Sequence, residues 1–220
     1  MVQGVAQGEV VIGYSPMTNG SGILNRLVQY ETWQTAQLYL SAAQVGQPYM
    51  AVGRNMGLHR TVFQQVNGFS SHIDLPGGTD DLLVQSLSAR HRVVPVGAPH
   101  TWMRTQPPGS WRAWWRQKKR HISTGWRYRW RDQGVLAAWT LSYALPLGAL
   151  GLGVAAADPM LILSALLIRG ITQFAIFEKS HLTAGEQEVR PWVMWLDIGY
   201  GLYLVVLVPL LSLIRPATWK

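Results

Sequence analysis

The chain has 220 residues, 48% of them hydrophobic, and a net charge of +8. This length suits one domain of ordinary size, or a small domain followed by a membrane region. The absence of cysteine excludes disulfide bonds, thiolate metal sites and cysteine-based catalysis. The charge is concentrated, because eleven of the nineteen Lys and Arg residues lie between Asp81 and Asp132, where no acidic residue occurs. Such a segment attracts polyanions.

The pattern of residues 1–106 predicts a partial α/β domain. A buried strand is expected over 9–14, and apolar residues at helical spacing predict a helix over 23–45. Further along, the pattern predicts strands over 49–52 and 93–96 and helices over 61–66 and 81–90. Strands that alternate with helices are typical of α/β layer architectures.

Residues 107–132 form a different kind of segment. Pro107, Pro108 and Gly109 break the chain, and Ser110 is placed to cap a following helix. On that helix one face carries tryptophans and Ile122, whereas another face carries five basic residues. The apolar set is Trp111, Trp115, Ile122 and Trp126, and the basic set is Arg112, Arg116, Lys119, Arg120 and Arg127. Tryptophan prefers the headgroup region and Arg or Lys binds anionic lipid, so the pattern favours a helix in the membrane interface. The alternative is a solvated basic helix packed on the domain through its Trp face.

Residues 133–220 contain three apolar segments, over 135–157, 159–177 and 193–214, which predict two or three transmembrane helices. The middle segment carries Arg169, which is expected to face protein or to snorkel towards a headgroup. Basic residues ahead of the first segment favour a cytoplasmic location for 112–131. Basic residues at 179 and 190 and at 215 and 220 also favour the cytoplasm, although three full spans would place these two groups on opposite sides. Because the spans hold the basic segment against the bilayer, membrane lipids are expected partners and nucleic acid is not.

The sequence Gly78-Thr79-Asp80-Asp81 stands where a helix is expected to begin. Acidic residues at such a position often cap the helix and oppose its dipole. The alternative is that one carboxylate caps the helix while the other acts as a general base towards a substrate hydroxyl. The two carboxylates alone do not decide between these roles.

Several stretches occur in an order and spacing that resemble the second half of a membrane-bound family 2 glycosyltransferase. They are residues 48–56, Phe63, Gly68-Phe69, residues 78–82 and Gln117 to His121, followed by the apolar segments. The resemblance implies a GT-A-like catalytic domain, an interfacial helix and transmembrane helices. It covers roughly residues 8–132 and extends plausibly into the apolar segments.

The resemblance also implies roles for individual residues. Asp80 matches the base that deprotonates the acceptor hydroxyl, and Asp81 matches its acidic neighbour. The remaining matches are on the substrate-binding side: Gly53, Arg54 and Asn55 beside the acceptor, and Gln117, Arg120 and His121 in the interfacial motif near the acceptor and the donor's diphosphate. Thr79 stands where many relatives have Asp or Glu, and His121 stands where the familiar motif has Trp.

The function implied is transfer of a sugar, with inversion, from a nucleotide-sugar donor to a lipid-linked or polysaccharide acceptor. It implies an integral protein of the bacterial inner membrane with a cytoplasmic catalytic part. The family binds Mg or Mn through an Asp-x-Asp motif, but this sequence contains no such motif and therefore no metal-ligand set. We accordingly expect the chain to be a fragment that lacks most of the donor-binding half. The alternative is a non-catalytic membrane protein whose basic Trp-rich helix serves lipid binding or assembly.

Overall fold

The computed structural model describes residues 9–75 and 77–212, and its sheet has three strands. They are β1 (Val10–Gly13), β2 (Met56–Gly57) and β3 (Val93–Val96), in the order β2-β1-β3. Strand β1 runs parallel to β3, with Val10 opposite Val93, and antiparallel to β2. All four β1 residues are buried, which accounts for their unbroken apolar sequence. The predictions of β1 and β3 are confirmed.

Three helices belong to the same part of the chain: α1 (Ile23–Gln44), α2 (Arg60–Gln65) and α3 (Thr79–Leu87). Each lies where a helix was predicted. Helix α1 packs on β3, and its Tyr30, Trp33 and Tyr39 are fully or almost fully buried. Because these aromatic side chains bury large areas, α1 contributes much of the core between the sheet and the apolar helices.

The prediction of a strand over residues 49–52 is wrong. These residues are extended but pair with no described strand, and β1 pairs instead with Met56–Gly57. The backbone of this stretch is hydrogen-bonded to helix α3 instead, because Gln85 Nε2 donates to Tyr49 O at 2.9 Å. The apolar run therefore marks buried extended chain beneath a helix, which has the same local pattern as a strand.

Helix α4 (Trp111–Gly125) begins as predicted, with Ser110 Oγ accepting from Ala113 N at 3.2 Å. Its most buried tryptophan is Trp114, which is 4% exposed and was not among the residues of the predicted apolar face. Trp114 Nε1 donates to Glu31 Oε2 at 3.2 Å, and Lys118 forms an ion pair with the same carboxylate. Helix α4 is thereby fixed to α1 through a single glutamate.

Within residues 9–75 and 77–212, three helices are long and apolar enough to cross a membrane. They are α5 (Trp130–Ala155), α6 (Pro159–Lys179) and a third candidate span over Gln187–Leu210. Within the third, α7 (Val193–Leu202) continues through a π-helical turn (Tyr203–Leu207) into α8 (Val208–Ser212). Their outer faces expose apolar side chains such as Leu145 (74%) and Ile168 (69%). Such surfaces match a hydrocarbon environment.

The charge in the middle apolar helix is paired. Arg169 Nε donates to Asp197 Oδ2 at 2.6 Å, and Arg169 NH2 donates to Asp197 Oδ1 at 2.8 Å. Tyr30 OH also donates to Asp197 Oδ1 at 2.8 Å, and the Arg169 guanidinium lies 4.0 Å from the centroid of the Tyr143 ring. Arg169 therefore faces protein, one of the two placements predicted for it, and helices α1, α5, α6 and α7 meet at this ion pair.

The segment between α6 and α7, residues 180–192, packs on the sheet-bearing part. Trp33 Nε1 donates to Ser180 Oγ at 3.3 Å, Asn19 Nδ2 donates to Glu188 Oε1 at 2.9 Å, and Tyr14 OH donates to Glu186. This contact puts residues 179 and 190 on the side of the sheet. The basic residues 215 and 220 lie outside the described residues.

Glu186 in this segment gives a prediction about pH. Burial raises its pKa from 4.5 to about 8, although the Tyr14 hydrogen bond and the Arg104 charge oppose the rise. The folded protein thus favours the neutral carboxyl, and the stability that Glu186 contributes falls as pH rises from about 4.5 through about 8. Glu186→Gln should remove this dependence, which amounts to about 1.4 kcal/mol per pH unit. Unfolding temperatures measured between pH 5 and 9 would show a flatter profile for the variant.

The matched control is Glu188→Gln, which changes an exposed carboxylate two residues away in the same segment. We expect it to retain the wild-type pH profile. Equal slopes for wild type and Glu186→Gln would show that Glu186 does not titrate in this range.

Candidate functional site

The first turn of α3 carries both candidate catalytic carboxylates. Gly78 precedes the helix in the left-handed conformation, with φ of 70°, and no side chain caps the helix N-terminus. The expectation that Asp80 or Asp81 caps the helix is therefore wrong. Both carboxylates lie in the first turn of the helix, and each is held by a group from another part of the chain.

Asp80 is half-buried and reaches the turn that follows the extended stretch. Its Oδ2 accepts a hydrogen bond from Gly53 N at 2.8 Å. A methyl group on Gly53 would lie 3.2 Å from the same oxygen, so a larger residue would force the Asp80 carboxylate to shift by a few tenths of an ångström. The hydrogen bond fixes one carboxylate oxygen, while the half-exposed group keeps access to solvent.

Asp81 is 3% exposed and points elsewhere. Its Oδ2 accepts from Tyr128 OH at 2.5 Å. Burial and the charge of Asp80 raise the pKa of Asp81 well above its usual value, whereas the Tyr128 hydroxyl and the Ala51 backbone act in the opposite direction. A group so enclosed is not open to solvent in this conformation, so Asp81 differs from the half-exposed Asp80.

Arg54 and Asn55 connect the Asp80 region to the carboxyl end of β1. Asn55 is buried, and its Nδ2 donates to Tyr14 O at 2.6 Å and to Thr101 O at 3.0 Å. Arg54 NH2 donates to Ser15 O at 3.3 Å, and the charge of Asp80 acts on the Arg54 guanidinium. The structure thus brings together five of the predicted site residues: Gly53, Arg54, Asn55, Asp80 and Asp81.

Helix α4 contacts the loop before Asp80 through its second half. Thr124 Oγ1 donates to Gly77 O at 3.0 Å, and the Arg120 side chain is so close that a methyl group on Gly77 would lie 2.5 Å from Arg120 Cγ. The Arg120 side chain therefore lies against the loop that precedes Asp80. In the part of the chain that the structure describes, Gln117 makes no hydrogen bond to this group.

His121 is solvent-exposed but surrounded by basic residues. Crowding by neighbouring protein and the positive charges of Lys118, Arg120 and Arg54 lower its pKa, so the imidazole is neutral at pH 7. Arg54 in the Gly53 turn is therefore near enough to α4 for its charge to act on His121. Positive charge of this kind is suited to an anionic group.

Gly78 is the point where this packing is least tolerant of change. A methyl group there would lie 2.2 Å from Thr124 Cγ2, in a backbone conformation that costs other residues about 1–2 kcal/mol. Gly78→Ala should therefore separate α4 from α3 and lower the free energy of unfolding by at least about 1 kcal/mol. Thermal unfolding measures the loss, and Gly109→Ala is the control because nothing lies within 4 Å of that position. Equal unfolding temperatures for the two variants would contradict the packing described.

The residues present do not form a binding site for the divalent metal that the resemblance implies. Within residues 9–75 and 77–212, no group of three or more His, Asp or Glu residues could hold a metal ion. Asp80 and Asp81 are directed to different partners, Gly53 and Tyr128. A divalent cation needs several converging oxygen ligands, which these two carboxylates do not supply.

Three contributors were not predicted from the sequence: Tyr128, Thr124 and Ser15. Each acts on a residue at least 39 positions away along the chain. Tyr128 lies between two arginines just beyond the interfacial motif. The only sequence signal was its hydroxyl group, which needs a polar partner when it is buried. Thr124 lies four residues after Arg120, on the same helical face, so the motif's own spacing was the available signal.

Residues 2–213 of this chain match the sequence model of a protein family, "Glycosyl transferase family group 2". Comparison with curated proteins and with solved structures gives no significant match. The family match extends over the sheet, the carboxylates of α3, helix α4 and all three apolar helices. The chain belongs to glycosyl transferase family group 2.

Proposed function

We propose that this protein transfers a sugar, with inversion, from a nucleotide-sugar donor to a lipid-linked or glycan acceptor at the membrane. Family membership supports glycosyl transfer in general. The observation that carries the finer proposal is Asp80, a half-exposed carboxylate with one oxygen fixed by Gly53 N–H and with Arg54 near enough for the two charges to interact.

Asp80 acts as the general base. The acceptor hydroxyl loses its proton to the free Oδ1 of Asp80 while its oxygen attacks the anomeric carbon of the donor. The bond from that carbon to the diphosphate breaks on the opposite face, and the nucleoside diphosphate leaves with the electron pair. Attack from the face opposite the leaving group inverts the anomeric configuration. A positioned base contributes about 10²–10⁴-fold to such a step.

Asp81 is a positioning residue in this scheme. Its carboxylate accepts a hydrogen bond from the Tyr128 hydroxyl, and Tyr128 lies just before the first apolar helix. This bond connects the start of α3 to the membrane-proximal chain.

Arg54 and Arg120 supply positive charge on the substrate side. Arg54 reaches the carboxyl end of β1, and Arg120 lies against the Gly77 loop. Since a leaving diphosphate gains negative charge as the bond breaks, guanidinium groups near it stabilise the transition state. Gln117 and His121, on the same helix, are proposed to contact the acceptor.

We propose further that the donor's nucleotide and its metal are held mainly by groups outside this chain. The described residues supply no metal-ligand set, and two guanidinium groups do not replace a divalent cation on a diphosphate. The chain then provides the acceptor side and the membrane anchor of a larger enzyme. We place this catalytic part on the cytoplasmic side of a bacterial inner membrane, as the basic residues of 112–131 favour.

The test uses membranes that contain the protein encoded by the complete reading frame. Each of a set of radiolabelled UDP- and GDP-sugars is supplied, and transfer is followed by the label and by release of nucleoside diphosphate. Label that partitions into organic solvent identifies a lipid-linked acceptor, and label in insoluble polymer identifies a glycan. Absence of transfer from every donor, with folded protein present, would contradict the proposed function.

A further inference from the structure

A groove separates the first half of α4 from the third candidate span. It encloses about 720 Å³ and is lined chiefly by Leu27, Trp111, Trp115, Leu202, Tyr203 and Val206. This volume lies within the 300–1,000 Å³ typical of small-molecule sites. Nearly all of the lining is apolar, and one wall is the π-helical turn of a helix long enough to cross the bilayer.

The groove lies on a different face of α4 from the catalytic site. Trp111 precedes Arg120 by nine residues, which at 3.6 residues per turn places the two side chains about 180° apart. Arg120 and Thr124 contact the Gly77 loop, whereas Trp114 and Tyr203 pack together with ring centroids 5.5 Å apart. A molecule in the groove therefore binds apart from the carboxylates.

Arg112 gives the groove a charged mouth. It lines the groove, its side chain is exposed, and among the residues that the structure describes it has no acidic partner. Arg116 follows one turn later on the same exposed face. An apolar cavity bounded by a candidate span, with guanidinium groups at its opening, matches one chemistry: a hydrocarbon chain joined to a phosphate.

We infer that this groove binds an anionic phospholipid, with an acyl chain between α4 and the π-helical turn and its phosphate against Arg112. The lipid fills the space between the two elements and so holds α4 in register with the third candidate span. A lipid that binds only the folded state stabilises it, and the stabilisation rises with the logarithm of lipid concentration once that concentration exceeds Kd. The inference concerns a lipid that is not the acceptor, and it stands whether or not the proposed function holds.

The experiment uses the full chain, purified and delipidated in detergent, and native mass spectrometry with phosphatidylglycerol or phosphatidylcholine of identical acyl chains. We expect one phosphatidylglycerol to be retained about tenfold more tightly than phosphatidylcholine, because the choline cation of phosphatidylcholine offsets the attraction of its phosphate to Arg112. Arg112→Gln should reduce phosphatidylglycerol binding to the level of phosphatidylcholine. Val206→Trp, which fills the groove, should reduce the binding of both lipids.

The controls change the same residue types elsewhere. Arg60→Gln removes an exposed charge at the start of α2, and Leu145→Trp enlarges a lipid-facing residue of α5; both should bind lipid like wild type. Arg112 is exposed, so its variant keeps the inference testable even if Val206→Trp does not fold. Three results would overturn it: equal affinity of wild type for the two lipids, unchanged binding by Arg112→Gln, or a dimer that Val206→Trp disrupts while lipid binding stays the same.

Discussion

Asp80→Asn is expected to reduce sugar transfer by about 10²–10⁴-fold, because the amide cannot accept the proton of the acceptor hydroxyl. The substitution preserves the fold around it. An amide oxygen still accepts the Gly53 N–H bond that now measures 2.8 Å, and the side-chain volume is nearly unchanged. The loss should therefore fall on kcat, with unfolding temperature and donor KM close to those of wild type. Transfer of label from the preferred nucleotide sugar measures it.

Asp74→Asn is the matched control, since it neutralises an exposed carboxylate in the loop before α3. It should transfer sugar at the wild-type rate. If Asp80→Asn retained full activity, Asp80 would not be the base, whereas inactivity of Asp74→Asn as well would point to a general effect of loop charge.

Asp197→Ala should destabilise the protein by about 3–5 kcal/mol, because it leaves Arg169 without its counter-charge inside the helical bundle. The pair is bidentate, and Tyr30 donates to the same carboxylate, so four helices lose a common contact. Unfolding of the detergent-purified protein, followed by tryptophan fluorescence, measures the change. The double variant Arg169→Leu/Asp197→Leu should recover much of the loss, since removal of both charges leaves no unpaired ion.

Asp158→Asn provides the comparison for this experiment. Asp158 caps α6 by accepting from Met160 N and Leu161 N, and Asn caps helices as well as Asp does. Its stability should match wild type within about 0.5 kcal/mol. A double variant no more stable than Asp197→Ala would show that the carboxylate, rather than charge pairing, holds these helices together.

Local patterns in the sequence predicted most elements of this fold. The apolar run at 10–13 predicted β1, Ser110 predicted the start of α4, and apolar residues at helical spacing predicted α1. The prediction of a strand over 49–52 was wrong because two kinds of buried chain share one local sequence pattern. One pairs in a sheet, and the other, as here, is hydrogen-bonded to a helix side chain.

Residue type and local pattern predicted that the two carboxylates after Gly78 lie at the start of a helix, whereas their roles were implied only by the family resemblance. What distinguishes Asp80 from Asp81 is not local. Asp80 meets a backbone N–H 27 residues away, whereas Asp81 meets a hydroxyl 47 residues away. Arg169 and Asp197 likewise pair across 28 residues. Contacts of this kind follow from tertiary packing, which periodicity and propensity do not encode.

The packing of residues 180–192 bears on how the two parts of the chain unfold. Because this connection joins two candidate spans and is anchored at Tyr14, Trp33 and Asn19, the sheet-bearing part is held to the apolar helices by hydrogen bonds as well as by the chain itself. We therefore expect the two parts to unfold in one cooperative transition.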